Sequence, residues 1–100
     1  MLYIGYAEDA PGNEEKRAAL REEHVAYLHA KPKKVVLGGG LLDGENVRLG
    51  NCLVIFAADL AAAEAWFADE PYNKAGLFTS LKITRISRGV WNPEIAANTK

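Results

Sequence analysis

Apolar residues along the chain fall into four short runs of β type and two stretches at helical spacing. The runs are Leu2–Ala7, Val35–Leu37, Gly50–Ala57 and Ser80–Arg88. Short apolar runs bounded by Gly, Pro, Asn and Asp are typical of strands. The helical stretches run from Asn13 to Lys31-Pro32 and from Asp59 through Phe67. Apolar residues three and four positions apart favour helices there, so the pattern predicts the order β-α-β-β-α-β.

Capping residues support both predicted helices. The cluster from Glu8 to Asn13 ends the first strand, and Asn13 is a good N-cap whose next two residues are acidic and suit the positive end of the helix dipole. The helix that follows has one apolar stripe, made of Leu20, His24, Tyr27 and Leu28. Asp59 can cap the second helix, which should stop before Pro71.

The connecting segments are rich in turn residues. Gly38-Gly39-Gly40 would permit a close backbone approach to a ligand, but it lacks the glycine spacing of a nucleotide-binding loop and favours a turn or bulge. Asp43-Gly44 and Asn46 suit a turn within Leu41–Leu49. Residues 1–88 therefore form the core of a single domain, and residues 89–100 form a tail without a predicted element.

This element order is the split βαβ pattern of ferredoxin-like α+β domains, with an antiparallel sheet carrying both helices on one face. The predicted strands are apolar on both faces, although a sheet with one wet face should alternate apolar and polar residues. A second copy of the chain, packed sheet to sheet at about 10 Å, would cover the face without helices and make a homodimer. The alternative is that Trp91 and the tail fold over that face within one chain.

Composition narrows the class of protein. The 100 residues suit one domain, and with 49% hydrophobic residues and a net charge of −1 the chain is typical of a globular protein. No basic stripe points to nucleic acid, and no apolar stretch is long enough for a signal peptide or a membrane span, so we expect a cytoplasmic protein that binds neither nucleic acid nor membrane. The lone Cys52 favours a buried hydrophobe over a nucleophile.

His24 is the candidate for acid-base chemistry, because imidazole titrates near neutral pH. The alternative is a core histidine bonded to a neighbour. Asp9 follows the first strand and could orient the imidazole, or it could be a plain turn residue. The two meet only if the helix overhangs the sheet or a partner chain contributes, because His24 lies about 16 Å along the helix from Asn13. His29 is five residues from His24, which does not suit a metal pair, so we expect no metal and no other cofactor.

Three strings resemble, in order, the motifs of the YCII-related (YciI-like) family. They are Arg21-Glu22-Glu23-His24-Val25-Ala26-Tyr27-Leu28, Leu37-Gly38-Gly39-Gly40-Leu41-Leu42 and Glu70-Pro71-Tyr72-Asn73-Lys74-Ala75-Gly76-Leu77-Phe78. The resemblance covers nearly the whole chain. It implies a dimeric α+β barrel related to muconolactone isomerase-like enzymes, with one relative that is a dehydrochlorinase acting on a chlorinated hydroxyquinol. The family's His/Asp pair for acid-base chemistry maps onto His24 and Asp9.

The chain departs from the family pattern at three places. Glu70-Pro71-Tyr72 replaces Asp-Pro-Tyr, Gly39-Gly40 replaces Gly-Pro, and Gly50-Asn51 replaces Gly-Ser. Glu70 could cap the following turn, as a poorer cap than Asp, or act chemically one methylene further out. Asn51 can donate and accept hydrogen bonds where the family serine would.

Other residues near these motifs are candidates for binding a small molecule. Tyr72 could line a pocket or belong to the core, and Arg21, like Arg17, could bind a substrate anion or lie on a solvated helix edge. The expected ligand-binding set is Arg21, Gly39, Asn51, Glu70 and Tyr72. We expect an enzyme of lyase or isomerase type that acts on a hydroxylated or aromatic-derived acid. The alternative is a non-catalytic dimeric module that binds a metabolite.

Overall fold

The computed structural model describes residues 1–99, which form one four-stranded sheet and four helices. The strands are β1 Leu2–Asp9, β2 Val35–Leu42, β3 Arg48–Phe56 and β4 Phe78–Ile86. The helices are α1 Glu14–His29, α2 Leu60–Asp69, α3 Pro71–Lys74 and α4 Pro93–Ala96. Every strand pair is antiparallel, in the order β2-β3-β1-β4. This confirms the predicted α+β fold of ferredoxin-like type.

The two predicted N-caps behave differently. The Asp59 carboxylate accepts a hydrogen bond from the backbone N–H of Ala62 at 2.8 Å, as predicted. The Asn13 side chain makes no cap and instead donates to the carbonyl of Leu77 at 3.1 Å. Asn13 therefore ties the start of α1 to the segment that leads into β4, and the prediction of a side-chain cap there was wrong.

The glycine triplet belongs to a strand, although a turn or bulge was expected there. Gly38, Gly39 and Gly40 pair with consecutive residues of β3, and irregularities of register lie on either side of them. Backbone pairing does not require side chains, so the β3 partner keeps these residues extended despite their low strand propensity. The turn that joins the two strands is tight, since the Asp43 N–H donates to the carbonyl of Val47 at 2.9 Å.

The core lies between the helices and one face of the sheet. Its buried members are Tyr3, Leu53, Ile55, Ala57, Ala63 and Phe67. The Phe67 ring lies directly over Gly5 of β1, so that a Cβ added at Gly5 would overlap the ring. The absence of a side chain at this position is what lets α2 approach the sheet.

The opposite face of the sheet is apolar and open in the single chain. Tyr6 is 48% exposed, Phe56 56% and Leu37 66%. The tail leaves these side chains largely exposed, since Trp91, itself 56% exposed, only borders a pocket that it shares with Leu2 and Phe56. The tail also contains the short helix α4, which the sequence did not predict; the last tail residue lies outside the described residues. Among residues 1–99, no helix is long and apolar enough to cross a membrane.

Replacing Gly5 by alanine should destabilise the fold by about 1–3 kcal/mol, since the new methyl group forces a buried aromatic ring to move. The control is Gly44→Ala in the exposed turn, where an added Cβ meets nothing within 4 Å. Urea unfolding monitored by circular dichroism measures both. Equal midpoints for the two variants would contradict the close packing of Phe67 on the sheet.

Candidate active site

His24 lies at the centre of the candidate site. It is the buried residue of α1, with 6% of its surface exposed, while most of that helix faces solvent. The helix stripe predicted from the sequence turns this side chain toward the sheet. His24 therefore reaches the region where α1, α3 and the middle strands meet.

A carboxylate holds the imidazole. Glu70 Oε1 is in hydrogen-bond contact with His24 Nδ1, and the two side chains form a buried ion pair when the ring is protonated. A carboxylate in its ionised form can only accept hydrogen bonds, and Nδ1 is then the donor. In the neutral ring this fixes the tautomer in which Nε2 carries the lone pair.

Glu70 is positioned by the junction of two helices. It ends α2, and its other carboxylate oxygen accepts the backbone N–H of Asn73 at 3.1 Å at the start of α3. Pro71 follows at the first position of α3, where its missing N–H costs nothing. Glu70 is thus both the cap that the sequence suggested and the partner of the histidine.

Tyr72 covers the imidazole. The rings of Tyr72 and His24 are stacked, with centroids 3.8 Å apart and planes inclined by 10°. The guanidinium carbon of Arg17 lies 4.7 Å from the same tyrosine centroid. Arg17 and His24 are two helical turns apart, a rise of about 10 Å that leaves room for one ring between them. Tyr72 therefore fixes the orientation of the imidazole.

Within the single chain Asp9 does not contact His24, so the predicted pair is not formed between these two residues of one protomer. Its carboxylate binds Arg17 through two contacts, Nη2 to Oδ1 at 2.5 Å and Nε to Oδ2 at 3.1 Å. Asp9 ends β1 beside the first turns of α1, and His24 lies too far along that helix for Asp9 to reach it. The carboxylate that meets the imidazole is Glu70, 46 residues further along the chain.

Arg17 also binds Asn51, whose side-chain oxygen accepts from Nη2 at 2.8 Å. Asn51 is buried on β3, so this contact joins the middle of the sheet to α1. The Arg17 side chain is only 13% exposed, which corrects the interpretation of Arg17 as part of a solvated helix edge. The signal for it was present in the sequence, since Arg17 lies two turns before His24 on the same face of the helix.

A cavity of about 170 Å³ opens beside the imidazole. It is lined by all three glycines of β2 and by Arg21, His24, Val25, Leu28, Arg48, Asn51, Leu53 and Tyr72. Four of the five expected ligand-binding residues meet here, namely Arg21, Gly39, Asn51 and Tyr72, while Glu70 lies behind the imidazole. A second cavity, of about 290 Å³, adjoins Asp9 and Arg17 and shares Arg48 with the first. Sequence reasoning missed Arg48.

The second ring nitrogen of His24 is available to a ligand. Within residues 1–99 it makes no hydrogen bond, and it is not among the fully enclosed polar atoms that lack a partner. The space behind the pair is nearly filled, with a hollow of only about 10 Å³ between the imidazole and the sheet. Access to the imidazole is therefore from the cavity of about 170 Å³ that the glycines line.

Two other titratable side chains are poor candidates for the chemistry. Burial, followed by the charges of Asp69 and Glu70, raises the pKa of Tyr27, whose hydroxyl donates to the carbonyl of Trp66 at 2.6 Å. Burial also raises the pKa of the Cys52 thiol, which lies on the open face of the sheet. Both groups keep their protons at neutral pH, so neither is a ready base or nucleophile.

Known proteins are similar to this chain in sequence over most of its length. A protein of Haemophilus influenzae described as uncharacterized is 33% identical over 89 residues, covering 81% of this chain and 91% of its own. Protein YciI of Escherichia coli is 29% identical over 91 residues, covering 83% and 93%.

A solved structure shares the whole fold. The 5-chloro-2-hydroxyhydroquinone dehydrochlorinase of Burkholderia phenoliruptrix, in complex with 2,5-dihydroxybenzoquinone, superposes with a TM-score of 0.80 at 28% identity, covering 89% of this chain and 96% of that one. Residues 1–87 match the model of the YCII-related domain. The chain therefore belongs to the YCII-related family.

Proposed function

We propose that this protein is a small-molecule enzyme of lyase or isomerase type, in which His24 moves a proton on a hydroxylated, ring-derived acid. The observation that carries the proposal is the buried contact between Glu70 and His24 Nδ1, which leaves Nε2 without a protein partner in a ring that lines a cavity. A carboxylate that orients an imidazole in this way supports general acid-base catalysis in other enzymes.

In the proposed reaction, Nε2 accepts a proton from a carbon or hydroxyl of the bound ring. Glu70 stabilises the imidazolium that forms, and Tyr72 keeps its plane fixed. Return of the proton to a neighbouring atom completes an isomerisation, whereas departure of a leaving group with the bonding electron pair completes an elimination. Asp9 takes no direct part and holds Arg17 in place.

The structural relative supports this substrate class. It is a dehydrochlorinase, and the ligand in its complex is a dihydroxylated quinone. A cavity of about 170 Å³ is of the size that holds one substituted ring, since benzene binds in protein cavities of roughly 150 Å³. We propose that such a ring lies against Arg21, Gly39, Asn51 and Tyr72.

The first test is chloride release from 5-chloro-2-hydroxyhydroquinone by the native protein and by His24→Asn. The asparagine amide can still donate to Glu70 from about the position of Nδ1, but the variant has no second ring nitrogen. We expect turnover to fall by about 10²–10⁴-fold while the fold is retained. His24→Ala is the harsher comparison, because it leaves a buried carboxylate without a partner and should cost about 3 kcal/mol of stability.

Unchanged turnover in His24→Asn would contradict the proposed role of the imidazole. Saturable binding of hydroxylated rings without turnover of any of them would favour the alternative, a non-catalytic metabolite-binding module.

We also propose that the protein is a homodimer joined through the open sheet face. The support is the exposed apolar surface around Val54, which pairs with Ile4 on one side and Leu37 on the other. Apolar patches of this kind on a sheet are typical of interfaces between chains. Face-to-face packing of two such sheets would remove these side chains from water.

Val54→Lys should convert the dimer to a monomer, because it would place a charge in the centre of the proposed interface. Leu60→Lys, at an exposed leucine at the start of α2, is the matched control and should leave the dimer intact. Light scattering coupled to size exclusion measures the mass of each. A native protein that elutes as a monomer at all concentrations would contradict the proposal.

A further inference from the structure

Arg48 has a cationic side chain that no group within residues 1–99 neutralises. It is the first residue of β3, and within residues 1–99 its guanidinium makes no ion pair or side-chain hydrogen bond. The other arginine beside the cavities, Arg17, is already paired with Asp9. An unpaired guanidinium at the mouth of a cavity is available to bind an anion.

The position of this guanidinium depends on Gly40. A Cβ added at Gly40 would lie 2.7 Å from Arg48 Cζ and 3.0 Å from both Nε and Nη1. The planar group therefore lies flat across the bare backbone of β2, in space that any side chain at position 40 would occupy. Arg48 is exposed to solvent, and its side chain lines both the cavity beside the imidazole and the one beside Asp9.

The charge of the cavity points to an anionic ligand. Its lining contains Arg21, His24 and Arg48 but no aspartate or glutamate. The carboxylates near it are engaged elsewhere, Glu70 behind the imidazole and Asp9 with Arg17. A ligand with a negative oxygen would thus meet two guanidinium groups and no carboxylate in the cavity lining.

We propose that Arg48, held across Gly40, is the specificity-determining residue of this cavity and selects planar ring compounds that carry an oxyanion, such as an enolate or a carboxylate. The guanidinium donates two parallel hydrogen bonds to the oxyanion. The ring lies between the glycines of β2 and α1. This inference rests on the proposed function only for the claim that the bound ring reacts; selective binding of the anion stands independently of turnover.

The test compares two probes with the native protein and its variants by isothermal titration calorimetry at neutral pH. One probe is 2,5-dihydroxybenzoquinone, which is an anion there, and the other is hydroquinone, an uncharged ring of similar size. Arg48→Gln should weaken binding of the anion by about 10- to 100-fold and leave hydroquinone binding unchanged. Arg85→Gln removes the same charge from an exposed position on β4 and should change neither.

A second variant tests whether Gly40 acts through Arg48. Gly40→Ala should keep the melting temperature, because the flexible side chain can move aside, yet it should weaken anion binding nearly as much as Arg48→Gln. In the double variant the two losses should not add, since both remove the same contact. Gly44→Ala is the matched control and should bind like the native protein.

Three results would overturn the inference. The native protein would show no saturable binding of the anion, or Arg48→Gln would lose affinity for both probes equally. The third is that the losses of affinity for the anion in Arg48→Gln and Gly40→Ala add up in the double variant. Failure of the proposed function appears differently. If His24→Asn and the native protein both bind the anion and neither turns over any substrate, the anion site stands and the reaction is rejected.

Discussion

The buried contact between Glu70 and His24 is the interaction on which the site depends. A carboxylate that is 2% exposed and an imidazole that is 6% exposed would each be costly to bury without a partner. Together they join α1 to the junction between α2 and α3, and they engage one ring nitrogen with the carboxylate while the other has no protein partner within residues 1–99. The same contact therefore links two parts of the fold and prepares the proposed base.

The remaining polar side chains extend this link across the molecule. Arg17 connects Asp9 at the end of β1 with Asn51 in β3, and its guanidinium lies against the face of Tyr72. Tyr72 in turn stacks on His24. Each of these side chains is held in position by its contact with the next. Hydrogen bonds, ring stacking and close packing therefore together fix the orientation of the imidazole.

Local signals in the sequence were enough for the order of the four strands and the two longer helices, the cap at Asp59 and the turn at Asp43. They failed where long-range contacts decide the structure. The glycine triplet is extended because β3 pairs with it, and Asn13 is drawn from its helix to Leu77. The family resemblance singled out the histidine but paired it with Asp9, since nothing local in the chain indicates that a residue 46 positions away will meet it.

The protonation of the His24 ring nitrogens tests this account most directly. Long-range ¹H–¹⁵N correlation spectra of the native protein at neutral pH distinguish the two nitrogens of that ring. We predict a proton on Nδ1, donated to an ionised Glu70, and the loss of that preference in Glu70→Gln. A neutral ring with its proton on Nε2 and a bare Nδ1 would contradict it, because the nitrogen that faces the cavity could then not act as the base.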